Sequence, residues 1–172
     1  GDMNTWGDRI PNSLDIVNLT NYVAENRNLT VDVNAFVRAA NLETYQGSGG
    51  TISLEIPVNQ NFSATHKIHV GTDSMVHVDG GNVHIGSDLT VDGISGAQFV
   101  QTAGNVHVGG DIKLGTFDGD GTYKLSGGTL DMENGQIEYG TGNQNFHFSG
   151  GRLTNLRLVT SDDPSQANLV QS

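Results

Sequence analysis

The sequence predicts an all-β chain wound into a right-handed parallel β-solenoid (β-helix), and three observations carry that prediction. The first is a repeat. "GNVHIGSDLTVDG" (81–93) returns 23 residues later as "GNVHVGGDIKLGT" (104–116). The tetrads "GGNV", "AGNV", "GGTL" and "GGRL" end at Val83, Val106, Leu130 and Leu153, so the steps are 23, 24 and 23 residues. Periods of about 20–50 residues belong to solenoids and related arrays. The second observation is a local period of two. Apolar and polar side chains alternate over short runs, which marks strands with one buried face. The third is punctuation: Gly-Gly, Gly-Ser, Gly-Asp and Asp-Gly pairs separate the runs, where the chain must turn.

Three short strands and three turns in about 23 residues make one coil, and the length allows six to seven coils. Equivalent strands of successive coils then lie parallel at roughly 4.8 Å, giving a rod of roughly 30 Å. Crossover handedness favours the right-handed form. Like residues stack on like residues. The column Gly81, Gly104, Gly128 and Gly151 is therefore a corner that needs positive φ or close backbone approach. The column Val83, Val106, Leu130 and Leu153 is a core ladder.

Along the chain, residues 1–28 read as an irregular segment that caps the solenoid or joins a neighbour. Within it "LDIVNL" reads as a strand, and "LTNYVAENRN" has room for one helical turn. The solenoid is expected over 29–160. "LTVDVNAFVRAANLE" supplies its earliest strands. "GGTISLE" (49–55) matches the Gly-Gly corner and second strand, "KIHVG" (67–71) the third, and the long "IPVNQNFSAT" between them reads as an insertion. The clear repeats follow. Their inward pairs are Val76 and Val78, Val83 and Ile85, and Leu89 and Val91 in one coil. The next coil has Phe99 and Gln101, Val106 and Val108, and Ile112 and Leu114. Then come Tyr123 and Leu125, Leu130 and Met132, and Ile137 and Tyr139. The last has Phe146 and Phe148, Leu153 and Asn155, and Leu156 and Leu158. Residues 161–172 form a tail or a last short strand.

Composition narrows the function. Nineteen Asp and Glu against eight Lys and Arg give a net charge of −11. Phosphate backbones demand clustered cations, so nucleic acid is not an expected partner. No apolar run approaches the roughly 20 residues that span a bilayer, so membrane insertion is not expected. With no cysteine, disulfides, thiolate metal sites and cysteine nucleophiles are excluded. No cofactor motif is present: the Gly-rich stretches join strand to strand, whereas phosphate loops join strand to helix.

Several residues invite a site. His84 and His107 occupy one outward column about 5 Å apart, with Asp131 next in line. Two His and an Asp suit a divalent metal; the plainer reading is a solvated polar ladder. Asp118 and Asp120 in "FDGDGTY" suggest a calcium loop, but the late Glu of such loops is missing, and a tight turn explains them. Gln101 and Asn155 stand in inward columns, where an amide must find partners, most simply a turn backbone. Trp6, near Arg9 and Pro11, suits a sugar platform or a cover for the open end of the rod. Asp88 and Asp111 share a column, but at a corner with no Arg or Lys column beside it, so a paired-carboxylate glycosidase is a remote alternative. Thr72, Thr90, Thr102, Thr116 and Thr129 do not form one column, which argues against an ice-binding face.

The repeats "GTYKLSGGTL" (121–130), "AQFVQTAGNVHVGGDIKLG" (97–115) and "FHFSGGRL" (146–153), and the opening "TWGDRIPNSLDIVNL" (5–19), resemble those of autotransporter-associated β-strand repeat proteins and related sorted exoproteins. These are large secreted bacterial surface proteins. The resemblance implies a secreted or cell-surface scaffold without a catalytic set. Two functions from different classes follow as expectations. One is a non-catalytic extracellular structural protein that pairs with itself head to tail into a fibre or surface layer. The other is an adhesin-type module whose flat faces meet glycan or another cell surface.

Overall fold

The computed structural model describes residues 12–44, 49–116, 119–161 and 169–171. The chain is a parallel β-solenoid of six coils, with two strands of a further turn. The first coil holds β1 (Ile16–Asn21), β2 (Arg27–Thr30) and β3 (Ala35–Val37). The second holds β4 (Ala39–Thr44), β5 (Ile52–Pro57) and β6 (Asn61–Ala64), and the third β7 (Ile68–Val70), β8 (Ser74–Asp79) and β9 (Asn82–Ile85). The fourth has β10 (Leu89–Val91), β11 (Gln98–Gln101) and β12 (Asn105–Val108). The fifth has β13 (Ile112–Leu114), β14 (Gly121–Leu125) and β15 (Thr129–Asp131). The sixth has β16 (Gln136–Tyr139), β17 (Gln144–Phe148) and β18 (Arg152–Thr154), followed by β19 (Leu158–Ser161) and β20 (Leu169–Gln171).

Every third strand stacks, forming three sheets. They run β1-β4-β7-β10-β13-β16-β19, β2-β5-β8-β11-β14-β17-β20 and β3-β6-β9-β12-β15-β18. The pairing is parallel throughout the named strands. The predicted ladder is present: Val83 pairs with Val106, Val106 with Leu130, and Leu130 with Leu153. The first three are buried, and Leu153 is partly buried against the core. In the second sheet the inward column Leu54, Val76, Phe99, Tyr123 and Phe146 grows aromatic. Its rings stack at 5.0 Å (Phe99–Tyr123) and 5.1 Å (Tyr123–Phe146). Gly104, Gly128 and Gly151 turn the corner at φ of 75°, 76° and 82°, while in the coil before them Gly80, not Gly81, takes the positive φ. Gly81 answers the other requirement, close approach to Pro57 and Gln60 carbonyls.

Upstream, three expectations change. Strands β1 and β2 pair with β4 and β5, so solenoid strands begin at Ile16 and not at residue 29. "GGTISLE" does not lie at the Gly80–Gly81 corner. Its strand β5 pairs with β8, in the sheet that precedes that corner. "IPVNQNFSAT" is no insertion, because it contains β6, which pairs with β9. The extra length of this coil lies between Thr44 and Ile52. At the other end β19 joins the first sheet, with Leu158 paired to Gln136 and Val159 to Ile137; Leu156 is partly buried against the core, and the Leu158 side chain lies outside the described residues. No helical turn follows Leu19; Asn21 ends β1, and its amide bonds the Glu25 and Thr51 carbonyls.

Candidate functional site

The outer face of the β6-β9-β12-β15 sheet carries the most organised polar surface. Each short strand there presents two outward residues: Asn61 and Ser63, Asn82 and His84, Asn105 and His107, Thr129 and Asp131. Alternation makes the residues between them face the core. The outward residues line an open groove of about 390 Å³ that follows the rod axis.

One side of this groove is an asparagine ladder. The Asn105 Nδ2 donates to Asn82 Oδ1 (2.9 Å), Asn82 Nδ2 to Asn61 Oδ1 (2.9 Å), and Asn61 Nδ2 to Asn34 Oδ1 (3.0 Å). Asn82 and Asn61 each use one donor and their acceptor in the ladder, Asn105 only donates to it and Asn34 only accepts, so every amide retains further capacity toward solvent. The ladder had a signal in the sequence, the repeated Gly-Asn-Val at 81–83 and 104–106.

The other side holds the predicted histidine column. His84 and His107 stack with ring centroids 4.7 Å apart and planes only 3° from parallel. His107 also sits between two carboxylates: Nε2 is 3.2 Å from Glu133 Oε2, and Nδ1 is 3.6 Å from Asp131 Oδ2. Asp131 accepts a hydrogen bond from Asn155 Nδ2 (2.7 Å) and one from the Glu133 backbone N–H. The Asn155 bond leads in holding the Asp131 carboxyl below its ordinary range; slight burial opposes it, and the Glu133 N–H and His107 assist. The column is thus built as expected, but as placed His84, His107 and Asp131 do not converge on one metal position. Ring nitrogens coordinate in the plane of the ring, and parallel rings do not aim at a common point about 2 Å from each. Among the described residues no group of three His, Asp or Glu side chains could hold a metal ion.

Gln101 is buried, and its amide serves the structure. Nε2 donates to the Gly104 (3.2 Å) and Thr129 (2.9 Å) carbonyls, and Oε1 accepts from the Tyr123 hydroxyl (2.8 Å). Asn155 departs from expectation: it is exposed at φ 56° and turned toward Asp131, because the chain bends there. Asp120 receives the Asn143 backbone and side-chain N–H groups (3.2 and 3.0 Å), as a corner residue does. Trp6, Arg9, Pro11 and Asp118 lie outside the described residues.

The Asp88–Asp111 corner is likewise tied into the fold. Asp88 accepts from the Asp111 backbone N–H (3.0 Å) and Lys113 Nζ (2.7 Å), and Asp111 from the Gln136 N–H (2.8 Å). Partial burial pushes the Asp88 carboxyl up, but the bonds from Lys113 and Asp111, with the Lys113 and Lys67 charges, outweigh it and leave it below its ordinary 3.8. Chiefly through its bond to Asp88, Lys113 is held above its ordinary 10.5. A depressed carboxyl stabilises the fold above its unfolded value and loses that share as pH falls through the folded one. A raised ammonium stabilises below its unfolded value and loses that share as pH rises through the folded one. Lys113→Met should therefore cost up to about 1 kcal/mol between roughly pH 5 and 9, screened as the pair is by solvent. Urea midpoints should show the loss shrinking at about pH 3; an equal loss there would contradict the pairing.

Among the described residues no helix is long and apolar enough to cross a membrane. No family model matches the chain, and neither a curated protein nor a solved structure matches it.

Proposed function

We propose that this chain is a non-catalytic, extracellular structural β-solenoid that assembles end to end into a fibre or a cell-surface layer. The observation that carries this reading is where the core opens. Five partly buried hydrophobic side chains pack against the core: Leu19, Leu29, Phe148, Leu153 and Leu156. All belong to the first coil or the last. Leu14, Ile16, Tyr22, Val23, Val33 and Phe36, exposed large hydrophobics, also lie in or beside the first coil. Among the described residues β1, β2 and β3 pair on one side only, as do β18, β19 and β20. Open edges of this kind are templates for another strand. A head-to-tail contact between unlike ends does not close, so it propagates as a filament. The repeats' resemblance to bacterial surface scaffolds supports an extracellular setting.

Negative-stain microscopy and sedimentation across a concentration series test the reading. Filaments of constant width that lengthen with concentration are the expected result. Small monodisperse particles at every concentration would sink it. That outcome would leave the second reading, a binding module, which the axial groove lined by the Asn61–Asn82–Asn105 ladder and the His84–His107 pair favours. Amides and imidazoles repeating once per coil suit the hydroxyls of an extended glycan.

A further inference from the structure

Resting on the reading of the axial groove as a glycan site, and independent of assembly, we propose that this groove binds a neutral, extended, β-linked polysaccharide. The polysaccharide runs along the rod with one sugar ring over each coil, and Phe36 stacks on the ring at one end.

Spacing sets the class of ligand. Donors and acceptors on this face recur at the coil step, roughly 4.8 Å. The asparagine ladder uses one N–H of each donating amide, so a second N–H and a carbonyl lone pair remain for a ligand once per coil. The histidine column repeats at the same step, with ring centroids 4.7 Å apart. Rings stacked along the rod lie across its axis, so they turn edges and not faces to solvent, and the imidazole edge carries the polar nitrogens. A ligand that meets both columns repeats its polar groups once per coil step in a straight line. An extended chain of β-linked pyranoses does so: it advances by close to that distance per ring and holds hydroxyls along both edges. α-Linked chains coil and lose the match. An extended peptide fits less well, because its side chains return to one face only every two residues, roughly 6.6 Å.

Phe36 adds an apolar surface in the same line. It points outward from β3 and is 49% exposed. Phe36 pairs with Ser63, Ser63 with His84, and His84 with His107, so the ring stands at the end of the histidine column. An exposed aromatic ring beside placed polar groups suits a pyranose, which has one apolar face and a rim of hydroxyls. Charge narrows the class further. Among the described residues Asp131 is the only charged side chain that lines the groove, and no Lys or Arg lines it. Glu133 lies at the same end, beside His107. A uronate, sulfated or phosphorylated polymer would meet carboxylates there and no cation. A neutral glycan meets no such repulsion.

The test is calorimetric titration of the full chain at neutral pH with defined oligosaccharides. Cellohexaose and chitohexaose are neutral and β-linked, maltohexaose is neutral and α-linked, and hexamannuronate is β-linked and acidic. Binding of a β-linked neutral hexamer is expected, with its trimer clearly weaker. Phe36→Ala and Asn82→Ala should each weaken it about tenfold, through loss of a stacking surface or a hydrogen-bonding station. Asn145→Ala, on the outer face of β17 in another sheet, should leave it unchanged. All three side chains are exposed, and urea midpoints check that each variant folds as the unaltered chain does. If maltohexaose or hexamannuronate binds as tightly as the β-linked neutral hexamers, and the same two variants weaken it, the groove takes glycan but the proposed class is wrong. If binding survives both Phe36→Ala and Asn82→Ala, the glycan sits elsewhere and the proposal fails. If no oligosaccharide binds, the groove reading fails and this proposal with it.

Discussion

Replacing Tyr123 by alanine is expected to lower stability by about 3–5 kcal/mol. The ring is fully buried in the fifth coil, stacked between Phe99 and Phe146. Parallel ladders fix the strands on both sides of it, so the coils cannot close over the space it leaves. Its hydroxyl also donates to Gln101 Oε1 at 2.8 Å, and the same amide holds the Gly104 and Thr129 carbonyls. Burial pushes the phenol well above its ordinary value, so the proton of that bond stays in place across the pH range of ordinary unfolding experiments. Tyr123→Phe separates the two contributions. It keeps the ring and strands one buried acceptor, which costs about 1–3 kcal/mol. Urea unfolding of both variants measures the split. A loss below about 1 kcal/mol for the alanine variant would contradict a packed aromatic column at this site.

Gly128→Val should cost about 3 kcal/mol or more. Two effects add. The residue sits at φ 76°, where an L side chain pays about 1–2 kcal/mol, and a β-branched one is a strong outlier. A Cβ there would also press on the Gly104 carbonyl oxygen in the coil beneath. That oxygen cannot retreat, because it accepts from the Thr129 N–H at 2.9 Å. Gly49 supplies the control. Its φ is 77°, but a Cβ would meet nothing within 4 Å. Gly49→Val should therefore show the backbone cost alone. Equal losses at the two positions would mean that coil-to-coil contact contributes nothing at the Gly128 corner.

How far the sequence could be read depended on how many neighbours repeat each feature. From Ile68 onward successive coils restate the same strands and corners, and the inward residues from Val76 to Phe146 stand where their alternation placed them. Gln101 was legible as a core amide because its column is otherwise apolar and a buried amide must bond. Upstream, the same local vocabulary misled. A glycine pair followed by alternating residues looks the same at any of the three corners, so Gly49–Gly50 read as the equivalent of Gly80–Gly81. Only the pairing of β5 with β8 shows which sheet the strand joins. Asn155 failed for a related reason: alternation assumes that the strand continues, and a positive φ ends it after Thr154.

The candidate site divides along the same line. The sequence by itself determined the solenoid, the coil length of about 23 residues, the core columns and the fact that His84, His107 and Asp131 share a column. These follow from periodicity, which any chain that stacks on itself must satisfy. The tertiary structure alone decided the parallel planes of the two imidazoles, the approach of Glu133 to His107, the asparagine ladder and the bond from Lys113 to Asp88. Those depend on rotamers and on groups brought within a few ångströms by successive coils. A period states that two residues are neighbours. It does not state which way their polar atoms point, and that direction separates a metal site from a stacked polar ladder.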